Sequence, residues 1–119
     1  MLKRILVLDD NEDILSMVHE ALSYEQFEVK SLSGSEMIEE VLKEFNPDLV
    51  ILDYRLSGEN GGQICHYIKT HPAFNNIPVI IFSAYIRNYD EILAYGCDAV
   101  IGKPFDLIDL ISKINNLIQ

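Results

Sequence analysis

Five polar residues in this chain lie at the ends of short apolar runs. Asp9 and Asp10 end one run, Asp53 ends another, Ser83 ends a third, and Lys103 closely follows a fourth. Two carboxylates about 4 Å apart repel each other by roughly 4 kcal/mol at an effective dielectric constant near 20, so three in one place require cations. Lys103 would supply one positive charge and a bound Mg²⁺ two more, which together balance three aspartates.

These residue types suit phosphoryl transfer. Aspartate is a nucleophile that can form an aspartyl phosphate. Asp53 is the best candidate for this role because it ends the middle run, between the acid pair and Lys103. Lys103 and the metal ion would offset charge on the incoming phosphoryl group, and the Ser83 hydroxyl would hydrogen-bond one of its oxygens.

The apolar runs predict five short β-strands. They are Ile5–Leu8, Val29–Leu32, Leu49–Leu52, Val79–Phe82 and Ala99–Ile101. The first, third and fourth are continuous in Val, Ile, Leu and Phe, which is typical of central strands covered on both faces. The segments between the strands have apolar residues at a period of 3.6, which predicts amphipathic helices.

Capping residues mark where several of these helices begin or end. Ser33–Glu36 has the pattern of a capping box and predicts the start of the second helix. The third helix is predicted over Gln63–Thr70, and the fourth over Asn88–Tyr95 with Gly96 as its C-terminal cap. Asp106 is positioned to cap the fifth helix.

Strands and helices that alternate five times predict a single α/β domain over residues 1–119. Such alternation implies right-handed crossovers and a parallel sheet with helices on both faces. Ligands bind at the carboxyl ends of the strands in sheets of this kind. We therefore expect the five polar strand-end residues to lie together at one rim of the sheet.

The composition argues against several classes of partner. The chain has a net charge of -10 and no basic block, which disfavours nucleic acid and anionic membrane surfaces. It has neither a signal-peptide pattern nor an apolar run of membrane-spanning length. Cys65 and Cys97 are far apart in sequence, which is typical of core residues in a reduced compartment. We therefore expect a cytoplasmic protein.

Four motifs occur in the order and spacing found in one family. They are Leu8–Glu12, Pro47–Tyr54, Pro78–Ala84, and Gly96–Asp98 followed by Gly102–Phe105. With them, the whole chain resembles the receiver domain of two-component response regulators, in the manner of stand-alone chemotaxis receivers. The resemblance implies a flavodoxin-like fold with strand order 2-1-3-4-5. No enzymatic activity is expected beyond the domain's own phosphorylation and dephosphorylation.

The resemblance also implies roles for individual residues and partners. Asp53 would take a phosphoryl group from a sensor histidine kinase or a histidine phosphotransfer protein. Mg²⁺ would be held by Asp10, Asp53 and the backbone carbonyl of Arg55, with Asp9 in support. A cis peptide bond before Pro104 is implied as well. Phosphorylation would then switch binding of a downstream protein on the face formed by helix 4, strand 5 and helix 5.

The chain departs from the family pattern at one strand position. The residue three before Lys103 is often aromatic in the family and is Val100 here. Because valine has one stiff torsion, we expect switching to depend on Ser83 and the following loop, which carries Tyr85 and Tyr89. Arg55 and Tyr85 flank the expected path of hydrolytic water, and we predict that they lengthen the lifetime of the phosphoryl group.

A further hypothesis concerns a surface for a partner. Ile108 lies about 120° from the centre of the apolar stripe on the fifth helix, taking 100° per residue. We therefore expect it to be exposed and to form a partner surface with Tyr89 and Tyr95.

Three other functions fit parts of the pattern. A phosphatase of the haloacid dehalogenase class needs a second acid two residues after its nucleophile, where this chain has Arg55. A flavin carrier of the same fold needs a phosphate-binding loop after the first strand, where Asp9 and Asp10 would repel a phosphate. A degenerate receiver that binds its partner without phosphorylation stays open at this point.

Overall fold

The computed structural model describes residues 1–56, 58–84 and 89–118, in which five strands alternate with five helices. In chain order the elements are β1 Arg4–Leu8, α1 Glu12–Tyr24, β2 Glu28–Leu32, α2 Ile38–Phe45, β3 Leu49–Asp53, α3 Gly61–Thr70, β4 Val79–Ser83, α4 Tyr89–Leu93, β5 Ala99–Gly102 and α5 Leu107–Leu117. Each predicted strand lies within an observed one.

The five strands form one parallel sheet in the order β2-β1-β3-β4-β5. This order confirms the predicted flavodoxin-like α/β fold. The register pairs Asp53 with Phe82 and Ser83 with Gly102, so the carboxyl ends of β3, β4 and β5 lie side by side. The polar residues at these ends are therefore brought to one rim by strand pairing alone.

The hydrophobic core consists of one layer on each face of the sheet. Ile5 and Val7 of β1 pack with α1 and α5, whereas Leu6 and Leu8 pack with α2, α3 and α4. This division follows from the strand geometry, because successive side chains point to opposite faces. Every residue of β3 and β4 is buried, including the polar residues Asp53 and Ser83 at their carboxyl ends.

The predicted capping box at Ser33–Glu36 is wrong. The helix α2 begins at Ile38, and no described side chain caps its amino end. A turn in which the Ile38 N–H donates to the Ser35 carbonyl precedes it, at 3.1 Å. The Glu36 carboxylate lies beside Gly34 in this bend, so the motif residues serve the turn rather than a helix N-terminus.

A capping box does open α3, two residues before the predicted start at Gln63. The Asn60 side chain accepts a hydrogen bond from the Gln63 N–H at 2.8 Å, and the Gln63 side chain accepts one from the Asn60 N–H at 2.8 Å. Gly61 and Gly62 stand between them, and glycine is a poor helix former. The pattern of polar caps was therefore a better signal for this helix than residue propensity.

The remaining boundaries agree closely with the predictions. The Asp106 side chain accepts a hydrogen bond from the Ile108 N–H at 2.8 Å and caps α5 as expected. The helix α4 ends at Leu93, two residues before the predicted end at Tyr95. Gly96, predicted to cap the helix directly, instead closes the turn that follows it, with a φ of 99° and its N–H donating to the Leu93 carbonyl at 2.9 Å. The predicted start of the fourth helix at Asn88 lies outside the described residues. None of the described helices combines the length and apolarity that crossing a membrane requires.

Candidate functional site

The three strand-end aspartates lie together at the carboxyl rim of the sheet. One carboxylate oxygen from each of Asp9, Asp10 and Asp53 lies within 4.8 Å of the others. Asp9 is 0 % exposed and Asp53 is 6 % exposed, whereas Asp10 is exposed to solvent. The rim therefore holds two buried acids and one that faces solvent.

Lys103 reaches this acidic group from the loop after β5. Its Nζ lies 3.0 Å from Asp9 Oδ2 and 3.1 Å from Asp53 Oδ1, so one ammonium group bridges both buried carboxylates. The Lys103 backbone N–H donates to the Ser83 carbonyl at 2.8 Å, which holds the start of this loop against β4. The peptide bond between Lys103 and Pro104 is cis, as predicted.

Both oxygens of Asp9 have partners within the protein. Oδ2 accepts from Lys103, and Oδ1 accepts a hydrogen bond from the Asn11 N–H at 2.9 Å. Asn11 also caps α1, because its side chain accepts from the Ile14 N–H at 3.1 Å. Asp9 is therefore fixed in place between the start of α1 and Lys103, and it is the aspartate best suited to a supporting role.

The electrostatics of the rim indicate a shortage of positive charge. Burial, and then the charge of Asp9, raise the pKa of Asp53 above its ordinary value, although Lys103 acts against this. Burial lowers the pKa of Lys103, but its hydrogen bonds to Asp9 and Asp53 outweigh that effect and raise the pKa overall. The lysine therefore stays charged, and one ammonium group faces three carboxylates.

Lys103 lies over the ring of Phe82, which is itself stacked on Phe105. The Phe82 and Phe105 rings are stacked with centroids 4.5 Å apart, and Lys103 Nζ lies 5.8 Å from the centre of the Phe82 ring. A cation over an aromatic face is attracted by the ring quadrupole. These two residues adjoin Ser83 and Pro104 in sequence, and that adjacency was the available signal for their role.

The other predicted residues are placed as follows. Ser83 ends β4 and is 2 % exposed, next to the strand that carries Asp53. The Arg55 side chain is exposed. Val100 is half-buried and packs on the core layer that contains α3 and α4. Tyr85 lies outside the described residues, so the proposed shielding by Arg55 and Tyr85 stays a prediction.

Ile108 is 78 % exposed, as predicted. It lines a groove of about 510 Å³ between α1 and α5, together with Met17 and Tyr24. The partners expected for it, Tyr89 and Tyr95, do not line this groove. The exposed apolar residues near Ile108 are therefore contributed by α1.

Gly61 has a role at this site that its sequence context did not indicate. It is the first residue of α3, and a methyl group there would overlap the backbone carbonyl of Asp53. Glycine is required where one backbone approaches another this closely. The start of α3 therefore rests directly on the backbone of the buried aspartate.

A family model described as the response regulator receiver domain matches residues 5–115 of this chain. The chain belongs to the response regulator receiver domain family. Such domains are phosphoryl acceptors rather than classical enzymes, and the Asp9, Asp10 and Asp53 group forms the acidic pocket for phosphoryl acceptance. An acidic triad of this kind is typical of a Mg²⁺-binding receiver site, and a receiver domain implies a histidine kinase as partner.

Curated relatives of this receiver domain are longer proteins. It is 31 % identical over 119 residues to the transcriptional regulatory protein GltR of Pseudomonas aeruginosa, covering 98 % of this chain and 49 % of that protein. It is 30 % identical over 121 residues to the phosphate regulon transcriptional regulatory protein PhoB of Rhizobium meliloti, covering 100 % of this chain and 53 % of that protein. The receiver domain thus spans about half the length of these relatives.

Solved receiver structures share the same architecture. A CheY-like response regulator receiver domain protein from Methanospirillum hungatei JF-1 is 28 % identical, with a TM-score of 0.88, and the match covers 99 % of this chain and 94 % of that one. The fold and the family are therefore supported by both sequence and structure.

Proposed function

We propose that residues 1–119 act as one receiver domain in which Asp53 is the phosphoryl acceptor. The donor would be a phosphohistidine on a sensor histidine kinase or a histidine phosphotransfer protein. An Asp53 oxygen would form a bond to phosphorus as the N–P bond of the donor breaks, and the donor imidazole would keep the electron pair of that bond. The bridge from Lys103 to Asp9 and Asp53 carries this proposal, because it places a cation beside Asp53, the last residue of β3. Asp9 is buried as well, but both of its oxygens are already hydrogen-bonded, to Lys103 and to the Asn11 N–H.

The other residues would position the group and neutralise its charge. Lys103 Nζ lies 3.1 Å from Asp53 Oδ1 and is near enough to pair with an oxygen of a phosphoryl group bound to Asp53. The Ser83 hydroxyl, on the neighbouring strand, would donate to another oxygen. Asp9 would keep Lys103 in place, because their hydrogen bond of 3.0 Å does not involve Asp53.

The donor set fits Mg²⁺. Hard divalent cations prefer oxygen ligands, and three carboxylate oxygens lie within 4.8 Å of one another. The raised pKa of Asp53, caused first by burial and then by the charge of Asp9, supports this assignment, because a further positive charge would stabilise the ionised carboxylate. We assign Asp10, Asp53 and the backbone carbonyl of Arg55 as the groups that would hold the ion, with Asp9 in support. When bound, Mg²⁺ would offset charge on the phosphoryl oxygens.

The downstream partner would bind the face formed by α4, β5 and α5. Two connections from the site support this assignment. Ser83 ends the strand that precedes α4, and Lys103 with Pro104 lies between β5 and α5. Because Val100 has little volume to move, Ser83 and the loop that carries Tyr85 would transmit the change. We propose a cytoplasmic location, consistent with the phosphohistidine donors named above.

Intact-mass measurement tests this function. The protein is incubated with Mg²⁺ and a small acyl phosphate, and in parallel with phosphoramidate, which resembles a phosphohistidine donor. We expect one added phosphoryl group with either donor, and none in the presence of a chelator or in Asp53→Asn. The matched control is Asp48→Asn, which changes an acid just before the same strand and should be phosphorylated normally. No added mass with either donor would refute the proposal and favour the degenerate receiver that binds without phosphorylation.

A further inference from the structure

A backbone hydrogen bond between Tyr54 and Gly61 closes the segment between β3 and α3, next to Asp53. The Tyr54 carbonyl accepts a hydrogen bond from the Gly61 N–H at 2.9 Å, and the Tyr54 N–H donates to the Phe82 carbonyl at 2.8 Å. Arg55, whose carbonyl is assigned to the metal, lies inside this closed segment. Its position therefore depends on how firmly the first turn of α3 is held against Tyr54.

Two glycines open that first turn, and glycine loses more conformational freedom on folding than other residues. Gly61 rests on the Asp53 backbone. Gly62 has no side chain, and the ring of Tyr95 fills the space where one would lie. A methyl group at Gly62 would overlap this ring. Beside the Asn60–Gln63 capping box, the first turn of α3 therefore packs against a residue from outside the helix.

Tyr95 contacts both parts of the closed segment. Its ring lies on Gly62, and its centroid is 6.4 Å from that of the Tyr54 ring, at an interplanar angle of 52°. Its backbone is held in the turn after α4, where the Tyr95 N–H donates to the Ile92 carbonyl at 3.1 Å. One half-buried ring therefore connects the end of α4 with both ends of the segment that follows Asp53.

We propose that Tyr95 is a positioning residue for the phosphorylation site. Its ring clamps the first turn of α3 against Tyr54 and so holds Asp53 and the Arg55 carbonyl in place for Mg²⁺. This inference rests on the proposed function, since it assumes that Mg²⁺ binds at these groups. Residues that orient metal ligands from outside typically change metal affinity by about 10–100-fold when they are replaced.

Mg²⁺ titration by calorimetry tests the clamp. Tyr95→Leu removes the ring and should weaken Mg²⁺ binding by about tenfold. Tyr95→Phe keeps the ring on Gly62 and should bind Mg²⁺ nearly as the wild type does. The matched control is Tyr67→Leu, which removes a ring from the same core layer, where Tyr67 contacts His71 at 5.6 Å instead. That variant should lose stability and keep its Mg²⁺ affinity.

A second variant separates positioning from general stability. Gly62→Ala adds a methyl group that displaces the Tyr95 ring from the other side, while alanine is the better helix former. We expect it to weaken Mg²⁺ binding in the same direction as Tyr95→Leu. Wild-type affinity in both Gly62→Ala and Tyr95→Leu would overturn the proposal.

Amide hydrogen exchange in the metal-free protein measures directly how firmly the first turn of α3 is held. The Gly61 amide hydrogen, which is bonded to the Tyr54 carbonyl, should exchange faster in Tyr95→Leu than in the wild type. In Tyr67→Leu it should exchange at the wild-type rate. Unchanged exchange at Gly61 would overturn the proposal even if Mg²⁺ affinity fell. Failure of the wild type itself to bind Mg²⁺ would instead refute the proposed function, and with it the positioning role.

Discussion

Replacing Lys103 by methionine should destabilise the metal-free protein strongly. The ammonium group makes hydrogen bonds of 3.0 Å to Asp9 and 3.1 Å to Asp53, and the Asp9 side chain is 0 % exposed. Removing one partner of a buried ion pair costs about 3–5 kcal/mol, because the other charge stays buried. Since the Lys103 side chain is itself 18 % exposed, we expect a loss near the lower end, about 3 kcal/mol.

Urea unfolding in the presence of a chelator measures this loss. With a slope of about 1–3 kcal/mol per molar urea, a loss of about 3 kcal/mol lowers the midpoint by roughly 1–3 M. Lys113→Met is the matched control, because Lys113 pairs with Asp109 at 3.4 Å on the surface, with side chains 38 % and 54 % exposed. Exposed pairs spaced by four residues in a helix contribute only about 0.3–0.5 kcal/mol.

The electrostatic origin of this loss of stability can be checked by supplying positive charge to the rim or removing negative charge from it. Saturating Mg²⁺ should narrow the gap between Lys103→Met and the wild type, since the ion replaces part of the missing charge. Lowering the pH until Asp53 is protonated should narrow the gap as well, because the pKa of Asp53 is raised. If Lys103→Met is as stable as Lys113→Met at neutral pH in chelator, the electrostatic account of the rim is wrong.

Two further predictions concern Asp53 and the cysteines. Because the folded protein raises the pKa of Asp53 above its ordinary 3.8, the free energy of unfolding falls as the pH rises from there through the raised pKa. Asp53→Asn should remove this pH-dependent fall in the free energy of unfolding. In urea titrations at neutral pH it should therefore be more stable than the metal-free wild type, and equal stability would contradict the raised pKa of Asp53. Burial raises the pKa of Cys65 to about 12 and that of Cys97 in the same direction, so neither thiol should react with iodoacetamide at pH 8 until the protein unfolds. Mass spectrometry of native and unfolded protein checks this, and rapid labelling of the native form would count against it.

The strand-end pattern alone was enough to predict which residues share the rim. Asp9, Asp53, Ser83 and Lys103 each end or follow an apolar run, and the carboxyl ends of parallel strands necessarily meet at one edge. Helix boundaries were harder to predict because the same short polar motifs occur in turns and at helix starts. Ser33–Glu36 forms a bend without a cap, whereas an equally short motif beginning at Asn60 opens α3.

Sequence therefore determined the fold, the family and the composition of the acidic rim. The family resemblance implied different roles for Asp9 and Asp10, but only the tertiary structure shows the physical difference between these adjacent residues of the same type. Asp9 is buried with Lys103, a partner 94 residues away, while Asp10 faces solvent. The contact of Tyr95 with Gly62 was likewise decided by the packing of the turn after α4 against the first turn of α3. Burial and long-range contacts depend on how whole elements pack, and no local pattern of residue types encodes that.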